Sequence, residues 1–320
     1  MVAIAERLPA LERLAAASEP AADAALDWTT PVDRSRLFLC ETLCPLYYTP
    51  VYRELAPEHR LRYNQLTGML AVELISLLES EFLDAALAAI QATHREGSGL
   101  RAAVERFARD ERRHADVWAR LNRLSEPEWY ARSARHIVQV PPQAAMLLRF
   151  IARHPVAFPV VFWIQLAQEE RSIEMSRRCM RMPADRIEPR FAAVFAAHLR
   201  DEIRHLQIDR HLIERFYAAR PRIVRRFTAR LFRALTRVFL LVPAHSTRRV
   251  VALLLRELPE LAPLAPRIRR ELGALAQNDE YHHMMYSRQA TPVTFSLFDR
   301  FEEFHQMRHV LRSYRPGGRV

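Results

Sequence analysis

Two segments of this 320-residue chain carry the residue types that hold transition metals. In Ala197-His198-Leu199-Arg200-Asp201-Glu202-Ile203-Arg204-His205, a helix places His198, Glu202 and His205 at i, i+4 and i+7. They then share roughly a 60° arc, stacked over about 10 Å of axis. Two imidazoles and a carboxylate on one stripe suit a borderline or hard metal that keeps open positions, typically iron. Upstream, Asp110-Glu111-Arg112-Arg113-His114 repeats the pattern Asp-Glu-x-Arg-His. With 26 Glu and 13 His, one Glu-x-x-His is what chance supplies. A preceding Asp lowers the chance expectation to roughly 0.04 copies, so the doubled motif is a signal.

Two facing helices of this kind supply two Glu and two His, and a carboxylate-bridged dinuclear site then needs one Glu from each of two further helices. The chain offers them. From about Pro57 an apolar period continues to about Arg95, nearly greasy all round between Leu66 and Leu83, with Glu73, Glu79 and Glu81 inside it. A second helix, about Leu100 to Leu124, carries Asp110–His114. A third begins near His154-Pro155, runs to about Met180 and carries Glu169 and Glu170. A fourth, roughly Glu188 to Ala219, carries the three-ligand stripe. Glu79 precedes Glu111 by 32 residues and Glu170 precedes Glu202 by 32. Two pseudo-twofold hairpins place their carboxylates at similar depth, which selects Glu79 and Glu170; Glu73, Glu81 and Glu169 stay open as substitutes. Asp110 and Asp201 are expected to accept from the ring N–H of a ligand His on the neighbouring helix, with solvated charge the equal alternative. His198 has no counterpart, since Phe107 stands four residues before Glu111, so the site is expected to be asymmetric.

Short–long–short connections join the four helices into two hairpins with a crossover. The expected fold is all-α: an N-terminal arm and irregular segment over 1–56, a four-helix bundle over 57–220, and additional helices over 221–320 (about 222–241, 247–257, 265–289 and 295–312) packed on it as one domain. Only six Gly in the chain agree with a helical composition. No Gly-rich loop follows a strand, so nucleotide chemistry must come from another protein. Cys40, Cys44 and Cys179 are too few for a disulfide framework, which points to a reducing cytoplasm. No signal peptide is read at the N-terminus. The longest apolar stretch, Val156–Ala167, is shorter than the ~20 residues of a membrane span. The charge of +11 comes from Arg alone, since the chain has no Lys; GC-rich coding accounts for much of that bias. Twelve Arg against one acid, Glu214, lie between Arg210 and Arg256, interleaved with Phe and Leu. That stretch suits an acidic partner such as a carrier protein about as well as plain solvation. Nucleic acid is not expected, because no binding motif accompanies the charge. Asp279-Glu280-Tyr281-His282-His283 and Glu302 with His305 repeat parts of the motif without a partner helix, and are read as surface or substrate-side residues.

The paired Asp-Glu-x-Arg-His with His-x-x-x-Glu-x-x-His at His198, Glu202 and His205 resembles the ferritin-like diiron-carboxylate proteins. Within them it is most similar to the p-aminobenzoate N-oxygenase family. The segment Arg62-Tyr63-Asn64-Gln65-Leu66 and Thr291-Pro292 share that look. The resemblance implies two iron ions held by Glu79, Glu111, His114, Glu170, His198, Glu202 and His205, with O2 as co-substrate. It also implies an amine substrate, free or presented by an acidic carrier, and an external reductase or ferredoxin as electron donor. Homodimerisation, the substrate and the product's oxidation level stay open. The competing readings are C–H hydroxylation or desaturation of a carrier-bound acyl group at the same site, and iron oxidation for storage.

Overall fold

The computed structural model describes residues 26–93, 99–241 and 244–318; of the expected N-terminal arm only Leu26 falls among them. Pro residues at first-turn positions, where a missing N–H costs nothing, start half of the α-helices among the described residues. A short helix, α1 (Pro50–Glu54), precedes α2 (Pro57–Leu77). A π-helical stretch, Leu78–Leu83, then leads into α3 (Asp84–Thr93). The remaining bundle elements are α4 (Gly99–Ser125), α5 (Pro142–Arg153), α6 (Val160–Met180) and α7 (Pro189–Phe216). α6 packs along α7, α2 and α3 pack along α4, and α4 meets α7 across the centre. This is the expected pair of hairpins.

The third helix starts at Val160 rather than near His154, because Pro155 and Pro159 hold residues 154–159 in turns. α7 begins where the Glu188 carboxylate accepts from the backbone N–H groups of Arg190 and Phe191, at 2.8 and 2.9 Å.

Beyond the bundle lie α8 (Arg222–Leu235), a second π-helical stretch (Thr236–Leu240), and α9 (Ala244–Glu257), which packs on α2. The expected helix over 265–289 is broken. α10 (Ala265–Ala274) and α11 (Asp279–Met285) are separated at Asn278, whose side chain accepts from Tyr281 N to cap α11. The last expected helix also divides, into α12 (Pro292–Arg300) and a 3-10 stretch Glu302–His309 around extended Phe301. Trp163, Phe298 and Phe304 stack there, fastening this end to α6. By length and composition one stretch, Arg222–Glu257, does reach the threshold for a membrane span, although 47% of its apolar window is buried within the protein. The sequence survey missed it because Arg248 and Arg249 interrupt the apolar run.

The irregular segment before α1 is held by α2. Asn64 accepts from Phe38 and Leu39 N–H and donates to Leu39 C=O, at 2.9, 3.2 and 2.7 Å. Gln65 donates to the carbonyls of Arg34 and Arg36, and Tyr63 Oη accepts from Leu46 N–H. Leu37 bridges Ile187 in parallel. The Tyr63-Asn64-Gln65 run is thus a clamp on backbone that would otherwise be buried unpaired. Gly68 lets the segment approach: a Cβ there would lie 2.7 Å from Phe38 Cβ.

Candidate metal centre

Six buried side chains converge where α4 and α7 cross against the π-helical stretch: Glu79, Glu111, His114, His198, Glu202 and His205. They form two groups, Glu79-His114-His198-Glu202 and Glu111-His114-Glu202-His205. Within each group the candidate ligand atoms lie within 4.8 Å of one another. The groups overlap at Glu202 and His114: the Glu202 carboxylate has two oxygens and could serve two ions, whereas His114 Nδ1 could serve one. Glu202 Oε1 is central, 2.9 Å from His198 Nε2 and 3.4 Å from Nδ1 of both His114 and His205. His198 Nε2 is also 3.1 Å from Glu79 Oε1, and His205 Nδ1 is 2.8 Å from Glu111 Oε1. The arc predicted for His198, Glu202 and His205 therefore faces one point.

Asp201 Oδ2 lies 3.0 Å from His114 Nε2, and Asp110 Oδ2 lies 3.6 Å from His205 Nε2. A carboxylate can only accept, so His114 donates from Nε2 and turns a bare Nδ1 to the centre. The Arg of each motif explains itself here, a role the sequence reading did not assign. Arg113 on α4 pairs with Asp201 on α7, and Arg204 pairs with Asp201 while lying 3.5 Å from Asp110. Burial would raise both aspartates. The His205 contact and Arg106 hold Asp110 at about 2, and His114 with Arg204 and Arg113 keeps Asp201 well below the usual carboxylate range.

The centre itself is electrostatically incomplete. Glu79 Oε2, both oxygens of Glu111 and Glu202, and Nδ1 of His114, His198 and His205 are buried with no hydrogen bond of good geometry, the short N···O approaches being poorly aligned. Each such atom costs about 1–3 kcal/mol. Burial pushes the Glu79 carboxyl well up, and Glu111 and Glu202 push it further. Burial also raises Glu202 and depresses His198, the latter helped by His114 and His205. On His205 burial is outweighed by the Glu202 and Glu111 carboxylates, which hold it well above the usual histidine range. Groups that disfavour or distort their own ionisation at close quarters are what cations would satisfy. The donor set, carboxylate oxygens with imidazole nitrogens, fits iron.

Glu170, expected as the third-helix ligand, is elsewhere. Its two oxygens accept from the N–H groups of Val293 and Thr294 at 2.6 and 2.7 Å, capping the N-terminus of α12. The motif-like Thr291-Pro292 is the start of that helix. Its neighbour Glu169, kept open in the sequence reading, lines the same cleft as Glu79. Glu73 is likewise occupied, accepting from Tyr130 Oη and the N–H groups of residues 136–138. Glu81 pairs with Arg135 and Arg149 at the surface. Phe107 stacks on the His205 ring, with centroids 4.2 Å apart. Asp279 pairs with Arg312, and His282 Nε2 faces Ala276 C=O, so the downstream motif is structural. Asp209, unremarked in the sequence although four residues beyond His205, is buried with both oxygens unpartnered, and burial pushes it well up.

A cleft of about 150 Å³ reaches the centre at Glu79 and Glu169 between α2 and α6. Leu70, Leu74, Leu78, Met175 and Met284 are among its apolar lining, and Gln165, Gln168, Arg171, Ser172 and Glu174 among the polar. The profile of the p-aminobenzoate N-oxygenase AurF family matches residues 5–285. The chain belongs to this family. Family members are oxidoreductases with a ferritin-like helical fold and a diiron centre, and the buried Glu and His groups of this N-oxygenase could hold metal. No curated protein matched the chain.

Proposed function

We propose that this diiron N-oxygenase oxidises the nitrogen of an arylamine seated in the cleft beside Glu79. The observation that carries the reading is the set of buried carboxylate and imidazole atoms that a largely apolar cleft reaches at Glu79. Glu79, Glu111, His114, His198, Glu202 and His205 would hold two iron ions, and Glu169 supplies the fourth carboxylate. Four carboxylates with three neutral imidazoles balance two divalent ions, which removes the charge that burial penalises. Iron bound there supplies the activation of O2, with electrons from an external reductase or ferredoxin.

The chain's own part is positioning. A space of about 150 Å³ is the volume that takes one benzene ring. The Leu and Met walls exclude water and hold that ring edge-on to Glu79 and Glu169, while Gln165 and Gln168 offer amide groups to its polar substituents. Asp110 and Asp201 keep the ring nitrogens of His205 and His114 directed at the centre.

The test is mass spectrometry of arylamines incubated with the iron-loaded protein, O2 and a reductant. Gains corresponding to hydroxylamine, nitroso or nitro products are expected; C–H hydroxylation or desaturation of the same compounds would favour the rival chemistry. His198→Ala should retain the fold and lose N-oxygenation by at least tenfold. Unchanged iron content and product yield in that variant would sink the reading.

A further inference from the structure

A second cavity, about 500 Å³, adjoins the first. Arg237 from the second π-helical stretch, Arg248 from α9 and Arg269 from α10 line it, with His309 beside them. The two cavities share Thr247, which is 3% exposed and whose Oγ1 has no hydrogen-bond partner. The partition between them is tied together from the inner side: Tyr281 Oη donates to Leu241 C=O at 2.9 Å, and Arg171 reaches Leu240 C=O.

The arginines of this cavity are exposed and, like Arg226, Arg230, Arg256 and Arg270, make no ion pair among the described residues. Elsewhere in the C-terminal helices Arg222, Arg225, Arg267, Arg300 and Arg312 each meet a carboxylate. No carboxylate lines the second cavity. Three exposed guanidiniums brought from three elements give the cavity mouth a single sign of charge, which favours an anion there. A single carboxylate is satisfied by one guanidinium fork, whereas a phosphate offers enough oxygens for several. The floor beneath them is apolar: Val238, Leu241, Val251 and Leu272.

We propose that this cavity binds a phosphate group carried on the far end or tether of the substrate, whose amine reaches the metal centre through the adjoining cleft. The proposal rests on the N-oxygenase reading for the role of the ligand, but not for its binding. An arm of this kind would run from the arginines past Thr247, whose free hydroxyl is placed to donate to it, to the walls of the inner cleft.

The test uses the full-length, metal-free protein and phosphorus NMR with calorimetry. The probes are pantetheine 4′-phosphate, pantetheine and inorganic phosphate. The phosphorylated arm should bind at least tenfold more tightly than either of the other two. The triple variant R237Q/R248Q/R269Q, whose side chains make no ion pair, should melt as the parent does, load iron normally and lose at least tenfold of that affinity; Thr247→Val should weaken it less. Equal binding of pantetheine with and without phosphate, or an unchanged affinity in the triple variant, would overturn the proposal. Inorganic phosphate binding as tightly as the arm would also overturn it, in favour of a free anion. Since none of these measurements needs iron or turnover, failure of amine oxidation with phosphate binding intact would count against the function proposed above and not against this site.

Discussion

Glu169 and Glu170 are adjacent, and exchanging either for Gln separates the proposed ligand from a cap. Glu170 accepts two backbone N–H groups at 2.6 and 2.7 Å while 2% exposed. Burial outweighs those hydrogen bonds and lifts its carboxyl from 4.5 to about 7. The sign follows from proton counting. Between these two values the native state keeps a proton that the unfolded chain has released, so stability is highest at the acid end and falls as pH rises. At about 1.4 kcal/mol per pH unit the loss amounts to about 3 kcal/mol by pH 8. Glu170→Gln removes the titration but leaves one N–H facing an amide donor, at a constant cost of about 1–3 kcal/mol. Urea unfolding at pH 5 and pH 8 should therefore show the stability difference between parent and variant smaller by about 2.5 kcal/mol at the higher pH. Colorimetric iron assays should find two irons per chain in Glu170→Gln and fewer than two in Glu169→Gln. Parallel pH dependence in parent and variant, or iron lost from Glu170→Gln and retained in Glu169→Gln, refutes the assignment.

Three further outcomes follow from the same geometry. Asp201→Asn removes the acceptor of His114 Nε2 and the counter-charge of Arg113 and Arg204; chelator competition should show iron affinity lower by about 10–100-fold with little change in the helical spectrum. Gly68→Ala forces a Cβ to within 2.7 Å of Phe38 Cβ, and should lower the unfolding free energy by about 1–3 kcal/mol without altering iron stoichiometry. Anaerobic Fe(II) at a hundredfold excess over its Kd should stabilise the metal-free protein by about 2.7 kcal/mol per bound ion, seen as a higher Tm; an unmoved Tm would mean that the buried cluster is not an iron site.

How much of this was legible in the sequence depended on range. The Asp-Glu-x-Arg-His pair lies within single helices, where periodicity alone fixes which side chains share a face, so Glu111, His114, His198, Glu202 and His205 are found together as the spacing implied. The choice between Glu169 and Glu170 was not local. Neighbours on a helix point about 100° apart, and which one turns inward is decided by α12, whose backbone N–H groups arrive from more than 120 positions away. Glu73 was hidden for the same reason, since its partners sit in the connection at residues 136–138. The matched 32-residue spacings equate position with depth only if both hairpins keep one helical phase. The π-helical stretch at Leu78–Leu83 changes the phase in the first hairpin, and no such stretch occurs in α6.

That π-helical stretch also bears on why the two halves of the centre differ. In α4 the position matching His198 is Phe107, which covers the His205 ring and closes that side with an aromatic face. In α7 the same position holds His198, whose Nε2 lies 3.1 Å from Glu79 on the π-helical stretch. The cleft meets the cluster at Glu79, not at Glu111. The extra imidazole therefore lies on the side of the cluster that the cleft reaches, and the side packed under Phe107 is turned away from it. A duplicated motif would by itself yield two equivalent ions. Two local departures from the repeat, a histidine for a phenylalanine and a π-helical stretch in one hairpin, are enough to give the centre a front and a back.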